Sequence, residues 1–181
     1  MKKKLKFAIA VLMTLSMLGT MTACGDSDKG SSSDKGNNKQ LAESRSSAKS
    51  VCNAANTVLS CADEEERMSD ILESDKTVIV CSDTEKNVNA EGIDDKFYAD
   101  MHDFYTNIDA IEWFAVIENG KCESTYIKAD DNKFIGHFDA PSLSDGQFIS
   151  PDELNEVDDS PYEFDDMSFD EVYEQVVSEN T

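Results

Sequence analysis

The chain has 181 residues, of which 38 are acidic and 16 are basic, and its net charge at pH 7 is −22. This excess of carboxylates argues against nucleic acid as a partner and against adsorption to an anionic bilayer, because both would repel it. The eight glycines are scattered, without a phosphate-binding loop or a G-x-S-x-G turn, so the sequence predicts no cofactor.

The first 24 residues have the layout of a bacterial export signal. Four lysines precede an apolar run from Phe7 to Leu18, which is shorter than the roughly 20 residues of a membrane span. The run leads to Met21-Thr22-Ala23-Cys24. An ordinary cleavage site has a small residue at position −3, where this chain has Met21. The four residues instead resemble the lipobox of bacterial lipoproteins.

This resemblance implies a signal peptide over residues 1–23 and a lipidated Cys24 as the mature N-terminus. The lipid would hold the protein at the extracytoplasmic face of the cell membrane, since two acyl chains give stable anchoring. Removal of the signal leaves 12 basic and 38 acidic residues, a net charge of −26. Residues 25–40 contain no aliphatic or aromatic side chain, so we predict a disordered tether over residues 24–40.

The next segment, residues 41–145, is predicted to be one α+β domain. Small apolar residues at three- and four-residue spacing predict a helix over residues 41–73. A β-branched run predicts a strand from Thr77 to Cys81, and Asp94 is placed to cap a second, short helix. The apolar face of this second helix consists of Phe97, Tyr98, Met101, Phe104 and Tyr105.

The most specific local signal of the domain is Asn119-Gly120 between two strand-forming runs, which predicts a β-hairpin with a type I′ turn. We expect the residues that face one another near this turn to form the sheet face that the helices cover. A two-residue turn sets the opposing pairs, which are Ile117 and Cys122, Ala115 and Ser124, and Trp113 and Tyr126.

A third strand is predicted from Lys133 to Phe138, which would place Ile135 beside Tyr126 on the same face. The strands then form a small antiparallel β-meander. With the long and the short helix packed on one side, the predicted fold class is α+β.

Residues 146–181 are predicted to form an acidic tail with one short amphipathic helix. Ser168 and Glu171 make a capping-box pattern at its start. The helix either docks on the sheet face that carries Phe114, Val116 and Ile127 or folds on contact with a partner. Its apolar stripe, the possible partner-binding segment, consists of Phe169, Val172, Tyr173, Val176 and Val177.

The four other cysteines lack metal-ligand spacing such as C-x-x-C, and an exported location permits disulfides. Cys52 and Cys61 on one straight helix would be about 13 Å apart, which excludes a bond between them. Two complete pairings stay open, Cys52–Cys81 with Cys61–Cys122 and Cys52–Cys122 with Cys61–Cys81. The remaining alternative is that all four are reduced.

Little in the sequence indicates catalysis. His102 and His137 are the only histidines, and a single histidine at the edge of an element is usually structural or solvated. Asp130, Asp131 and Asn132 lack the ligand spacing of a calcium loop and are better explained as a turn. No metal site is predicted.

Several segments together resemble the pilin-like proteins of clostridial gut bacteria. They are the helical run 48–55, the aromatic spacing of the second helix, the run 112–120, and Phe134-Ile135-Gly136 before Pro141. The resemblance implies a type IV pilin-like domain with a long helix on an antiparallel sheet. The sequence predicts neither a prepilin leader nor a hydrophobic filament helix, so we expect the module to be displayed from a lipid anchor.

We therefore expect a lipid-anchored cell-surface protein with a small non-enzymatic interaction or structural domain. Its partner would be the membrane, through Cys24, and a protein or cell-wall component. The alternative is a small membrane-anchored enzyme or metal-dependent binding protein that uses His102, His137 or a cysteine.

Overall fold

The computed structural model describes residues 32–73, 75–140, 164 and 166–181. Within these ranges the chain forms four α-helices and four β-strands, which confirms the predicted α+β class. The helices are α1 (Ser32–Glu64), α2 (Ser69–Leu72), α3 (Asp95–Phe104) and α4 (Phe169–Asn180). The strands are β1 (Val78–Cys81), β2 (Ile111–Glu118), β3 (Lys121–Ala129) and β4 (Ile135–Asp139).

The four strands form one antiparallel sheet in the order β1-β2-β3-β4. The predicted turn joins β2 to β3: both Asn119 and Gly120 have positive φ angles, 50° and 71°, as a type I′ turn requires. The sequence placed β2, β3 and β4 in a meander, and the structure adds β1 beside β2. The sheet therefore has one more strand than the predicted meander.

The predicted register is correct next to the turn and wrong beyond it. Ile117 does pair with Cys122, but the register shifts between Val116 and Ile117. Because Glu123 has no partner in β2, the pairs that follow are Ala115 with Thr125 and Trp113 with Ile127. A bulge of one residue moves every later side chain to the opposite face.

The bulge decides which face of the sheet each β3 residue occupies. The inner face, which α1, α2 and α3 cover, carries Trp113, Ala115 and Ile127. The outer face carries Phe114, Val116 and Tyr126. The expectations that Tyr126 lies on the inner face and Ile127 on the outer are therefore wrong. Ile135 does share a face with Tyr126, and that face is the outer one.

Helix α1 packs along the inner face through the stripe predicted from its small residues. It starts at Ser32 and ends at Glu64, whereas the prediction was 41–73. Its last turn closes where Glu66 takes a left-handed φ of 53° and Arg67 donates its backbone N–H to Ala62. The buried residues of the stripe are Ala48, Val51, Cys52, Ala54, Ala55, Val58, Leu59 and Ala62.

The early start of α1 corrects the predicted tether, because residues 32–40 belong to the helix. One contact that holds this end is visible at Gln40, whose carbonyl oxygen accepts a hydrogen bond of 2.9 Å from Asn132 Nδ2. Asn132 lies in the turn between β3 and β4, 92 residues from Gln40 in sequence. This turn therefore holds the beginning of α1 in place. The rest of the predicted tether and the signal peptide lie outside the described residues.

Helix α3 packs on the inner layer with Phe97 and Met101 buried. As predicted, Asp94 caps it: its side chain accepts a hydrogen bond of 2.9 Å from the Phe97 N–H. The aromatic face is only partly buried, because Phe104 is 53% exposed. Among the described residues, no helix combines the length and the apolar character needed to cross a membrane.

Candidate functional site

The residue on which the predicted location depends, Cys24, lies outside the described residues. The other predicted residues fall into three groups: the two histidines, the four remaining cysteines and the apolar stripe of α4. Each group has a distinct environment in the fold.

The two histidines occupy different sides of the sheet. His102 lies on α3, on the inner side; its side chain is half-exposed, and its Nε2 is 3.4 Å from Asp109 Oδ2. His137 lies on β4, where its ring stacks on Tyr126 of the outer face at 4.5 Å between ring centroids. Its Nε2 is 2.9 Å from Asp139 Oδ1. The fold does not bring the two histidines together.

Within the part of the chain that the structure describes, no three His, Cys, Asp or Glu side chains converge in a way that could hold a metal ion. Each histidine has a carboxylate oxygen within 3.4 Å of its Nε2. The pair at His102 is half-exposed, and such pairs contribute little to stability. The set of ligands that a histidine-based metal site requires is therefore not seen among these residues.

The cysteines divide unevenly between the two faces. Cys52 of α1 and Cys122 of β3 are each 1% exposed and belong to the inner core. Cys81 is buried on the outer face, where its thiol donates to the Lys86 carbonyl oxygen at 3.6 Å. Cys61 is half-buried on α1. All four are unbonded thiols in the structure.

Cys52 and Cys122 meet at a small polar cluster that joins α1 to the start of β3. The Cys52 thiol donates to the Cys122 carbonyl oxygen at 3.5 Å. Asn56, one turn along α1, accepts the Cys122 N–H at 2.9 Å through Oδ1. Its Nδ2 donates to the Cys122 carbonyl at 3.3 Å and approaches Cys52 Sγ at 3.7 Å. We call these three residues the thiol cluster.

The pKa values of the two thiols of this cluster are shifted in opposite directions. A hydrogen bond from the Cys122 thiol stabilises a thiolate at Cys52 and lowers the pKa of Cys52, against the effect of burial. The same hydrogen bond, together with burial, raises the pKa of Cys122 well above its ordinary value. Burial is the main cause that raises the pKa of Cys81 to about 12; the charge of Lys86 opposes it and that of Asp83 adds to it. Within the thiol cluster, Cys52 is therefore the more acidic of the two thiols.

The apolar stripe of α4 lies on the outer face of the sheet. Val172 and Val176 are buried there, and Phe169 and Tyr173 place their rings 5.3 Å and 5.4 Å from that of Phe114. This is the docked arrangement of the two predicted alternatives. Of the three docking residues predicted on the sheet, Phe114 and Val116 are correct, whereas Ile127 faces the inner core.

Polar contacts at the start of α4 complete its attachment. The predicted capping box is present: the Glu171 N–H donates to Ser168 Oγ at 3.3 Å, and the Ser168 N–H donates to the Glu171 carboxylate at 2.7 Å. Lys86 Nζ lies 2.6 Å from Asp170 Oδ1, and the Tyr173 hydroxyl donates to the Lys86 carbonyl oxygen. Lys86 thus contacts α4 through both its backbone and its side chain.

The sequence interpretation missed Asn56 and Asn132, the two amides that connect α1 to the sheet. A signal for Asn56 was available, because it follows Cys52 by four residues and so lies on the same side of the helix. No comparable signal marks Asn132, whose partner at Gln40 is distant in sequence. Both amides bind backbone groups of residues that are far away in sequence.

Comparisons with known proteins add no functional information: no protein family, no curated protein and no solved structure matches this chain. The fold and the geometry described above are therefore the basis for the proposals that follow.

Proposed function

We propose that this protein is a lipid-anchored cell-surface protein whose α+β domain has a structural or interaction role. The observation that carries the proposal is the succession of a lysine-rich start, an apolar run and Met21-Thr22-Ala23-Cys24. A cysteine at that position is the acceptor for lipid in the resembling lipoproteins. The domain that follows would be a pilin-like module displayed at the extracytoplasmic face of the membrane.

The arrangement of the domain supports a non-enzymatic role. Helices cover both faces of the sheet, α1 to α3 on one side and α4 on the other. The side chains most suited to catalysis lie apart, His102 on the inner side and His137 on the outer. A domain with this construction offers partners its charged exterior, and that exterior carries most of the 38 acidic side chains of the chain.

Metabolic labelling with a fatty-acid probe tests the anchor. The wild type should incorporate the probe and partition into the detergent phase, whereas Cys24→Ala should do neither. The matched control is Cys61→Ala, which removes a half-buried cysteine outside the lipobox and should label like the wild type. Surface biotinylation of intact cells should mark the wild-type protein.

Two results would contradict the proposal. Equal labelling of the wild type and Cys24→Ala would show that Cys24 is not the lipidated residue. Protection of the wild-type protein from surface biotinylation in intact cells, with labelling after lysis, would place it inside the cell. The interaction role would then have no basis.

A further inference from the structure

The thiol cluster is a place where two cysteines that are 70 residues apart in sequence come into direct contact. One belongs to the helix layer and the other to the sheet, and both sulfurs are almost fully buried. The Cys52 sulfur lies 3.5 Å from the Cys122 carbonyl oxygen, and the Cys122 thiol donates to the Ser124 carbonyl oxygen at 3.5 Å. The side chain of Cys52 thus reaches the backbone of residue 122, and such proximity of two cysteines is the condition for a disulfide. The contact also lies in the inner core and needs no movement of a surface segment.

The sheet separates the other cysteines and so decides among the pairings that the sequence left open. Cys81 packs on the outer face with Ile79 and Phe114, while Cys52 and Cys61 belong to α1 on the inner side. A bond from Cys81 to either helix cysteine would have to pass through the sheet. Both complete pairings of four cysteines are thereby excluded, and Cys52 with Cys122 is the single pair in contact.

We propose that Cys52 and Cys122 form an intramolecular disulfide that joins helix α1 to strand β3. The bond would close a loop of about 70 residues containing α2, β1, α3 and β2. Cross-links across long loops restrict the unfolded chain most strongly in the chain-entropy account. The site would thus act as a covalent staple between the two layers of the domain.

The reagent is a disulfide of a small molecule or of an oxidising protein. One cysteine thiolate attacks the reagent disulfide, forms a mixed disulfide and releases the first reagent thiol. The second cysteine then attacks the mixed disulfide, forms the Cys52–Cys122 bond and releases the second reagent thiol. The two cysteines lose two electrons and two protons, and the reagent gains them as two thiols.

Two features of the cluster favour this exchange. Asn56 holds the backbone of residue 122 against the helix through two hydrogen bonds, 2.9 Å and 3.3 Å long, so the sulfurs are brought back together each time the domain folds. The second feature is burial, since both cysteines are 1% exposed once the domain has folded. Since both thiols are buried, exchange occurs while the layers are still separate during folding, and the closed bond is then shielded from reductants.

The test uses the purified full chain in detergent, reduced, unfolded in urea and refolded in a mixture of reduced and oxidised glutathione. Remaining thiols are blocked with N-ethylmaleimide, and tryptic peptides are mapped by mass spectrometry without reduction. Peptide 50–67 contains both Cys52 and Cys61, so the mapping is repeated on Cys61→Ala, in which the attachment point is unambiguous. Cys81→Ala is the second control, and Cys52→Ala should abolish the link.

The expected result is a covalent link between peptides 50–67 and 122–128 in the majority of wild-type, Cys61→Ala and Cys81→Ala chains. Reductant should lower the melting temperature of these chains by about 5 °C or more. Alkylation of both Cys52 and Cys122 in the refolded wild type would overturn the proposal, as would a link from Cys122 to Cys61. Fragment ions of the linked wild-type peptides distinguish Cys52 from Cys61, so the outcome does not require any variant to fold.

The proposed surface location enters this inference only as the source of an oxidising environment. The refolding assay supplies the oxidant itself and does not involve Cys24. A missing link in glutathione would therefore refute the disulfide and leave the lipid anchor untouched. An unlabelled Cys24 would refute the anchor and leave the disulfide untouched.

Discussion

At the residue scale, helix α1 and the sheet approach each other closely at Gly136 in β4. A Cβ atom added there would overlap the carbonyl group of Ser44 in α1 and lie 2.9 Å from the Ile127 side chain. Ser44 is itself 1% exposed and donates to the Phe134 carbonyl oxygen at 3.3 Å. Thr125 adds a bond of 2.7 Å to the Ala48 carbonyl. These contacts hold α1 against the sheet through its backbone.

We therefore expect Gly136→Ala to destabilise the domain by about 1–3 kcal/mol, because helix backbone cannot yield as a flexible side chain does. The matched control is Gly36→Ala, where an added Cβ meets nothing within 4 Å on an exposed position of α1. That change should stabilise by about 0.5–1 kcal/mol. Urea unfolding of both variants measures the difference, and equal effects would contradict the close approach.

Trp113 provides a second residue-scale prediction. Its side chain is 3% exposed and packs in the inner core opposite Ile127, with its ring 6.4 Å from that of Tyr98. Trp113→Ala should reduce the free energy of unfolding by about 3–5 kcal/mol, since it leaves a large cavity. Phe104→Ala, at an exposed aromatic, should change it by less than about 0.5 kcal/mol. A small effect at Trp113 would place the ring on the surface.

At the scale of elements, α4 depends on the sheet for its existence as a helix. It has 12 residues, and isolated helices of that length are marginal in water. Its capping box satisfies the backbone at one end, but the stripe of Val172 and Val176 is stable only when covered. The outer face of the sheet has the same need, because Phe114, Val116 and Tyr126 would otherwise contact water.

The prediction for this element is that Val176→Asp releases α4 from the sheet. A buried, unpaired carboxylate opposes docking, so the variant should lose at least about 2 kcal/mol of stability and some helical signal. It should also bind a dye for exposed apolar surface. Glu174→Ala, on the exposed side of the same helix, should behave as the wild type. Unchanged melting of Val176→Asp would show that docking contributes nothing to the domain.

The elements also show how far the sequence leads. The caps at Asp94 and Ser168 and the turn at Asn119-Gly120 were predicted correctly, because each depends on residues within a few positions of one another. The register beyond the bulge was not predicted. With Glu123 unpaired, Ile127 enters the core and Thr125 reaches the α1 backbone, whereas the regular register would have turned Lys128 inward.

At the scale of the whole molecule, burial keeps several thiol and phenol groups protonated above their ordinary pKa values. The pKa of Cys81 is raised to about 12 and that of Tyr98 is raised as well, in both cases chiefly because the charged form would be desolvated. In the unfolded chain these groups ionise at their ordinary pKa values, near 9 for cysteine and 10 for tyrosine. Between the two values the unfolded state binds fewer protons than the folded state.

Stability should therefore be complete below about pH 9 and should fall as the pH rises toward 12. The contribution of Cys81 to the slope is about 1.4 kcal/mol per pH unit, one proton in the linkage relation. Cys81→Ala removes that proton, so its free energy of unfolding should fall less steeply than that of the wild type across this range. Urea titrations at pH 8, 9, 10 and 11 provide the comparison. Parallel curves would show that Cys81 is accessible to solvent in the folded state.

The sequence by itself determined the apolar stripe of the long helix, the starts of α3 and α4, the hairpin and the α+β class, because stripes, caps and turns arise from residues close together in the chain. It did not determine the bounds of α1 or the separate helix α2. Only the tertiary structure decided which face each strand residue occupies, where β1 joins the sheet, where α4 docks, and that Cys52 meets Cys122 but not Cys81. These outcomes depend on contacts between residues tens of positions apart. The physical reason is that one bulged residue, Glu123, reverses the faces of the β3 residues that follow it. The contacts that stabilise this bulge are made with a helix distant in sequence, so a local sequence pattern does not reveal it.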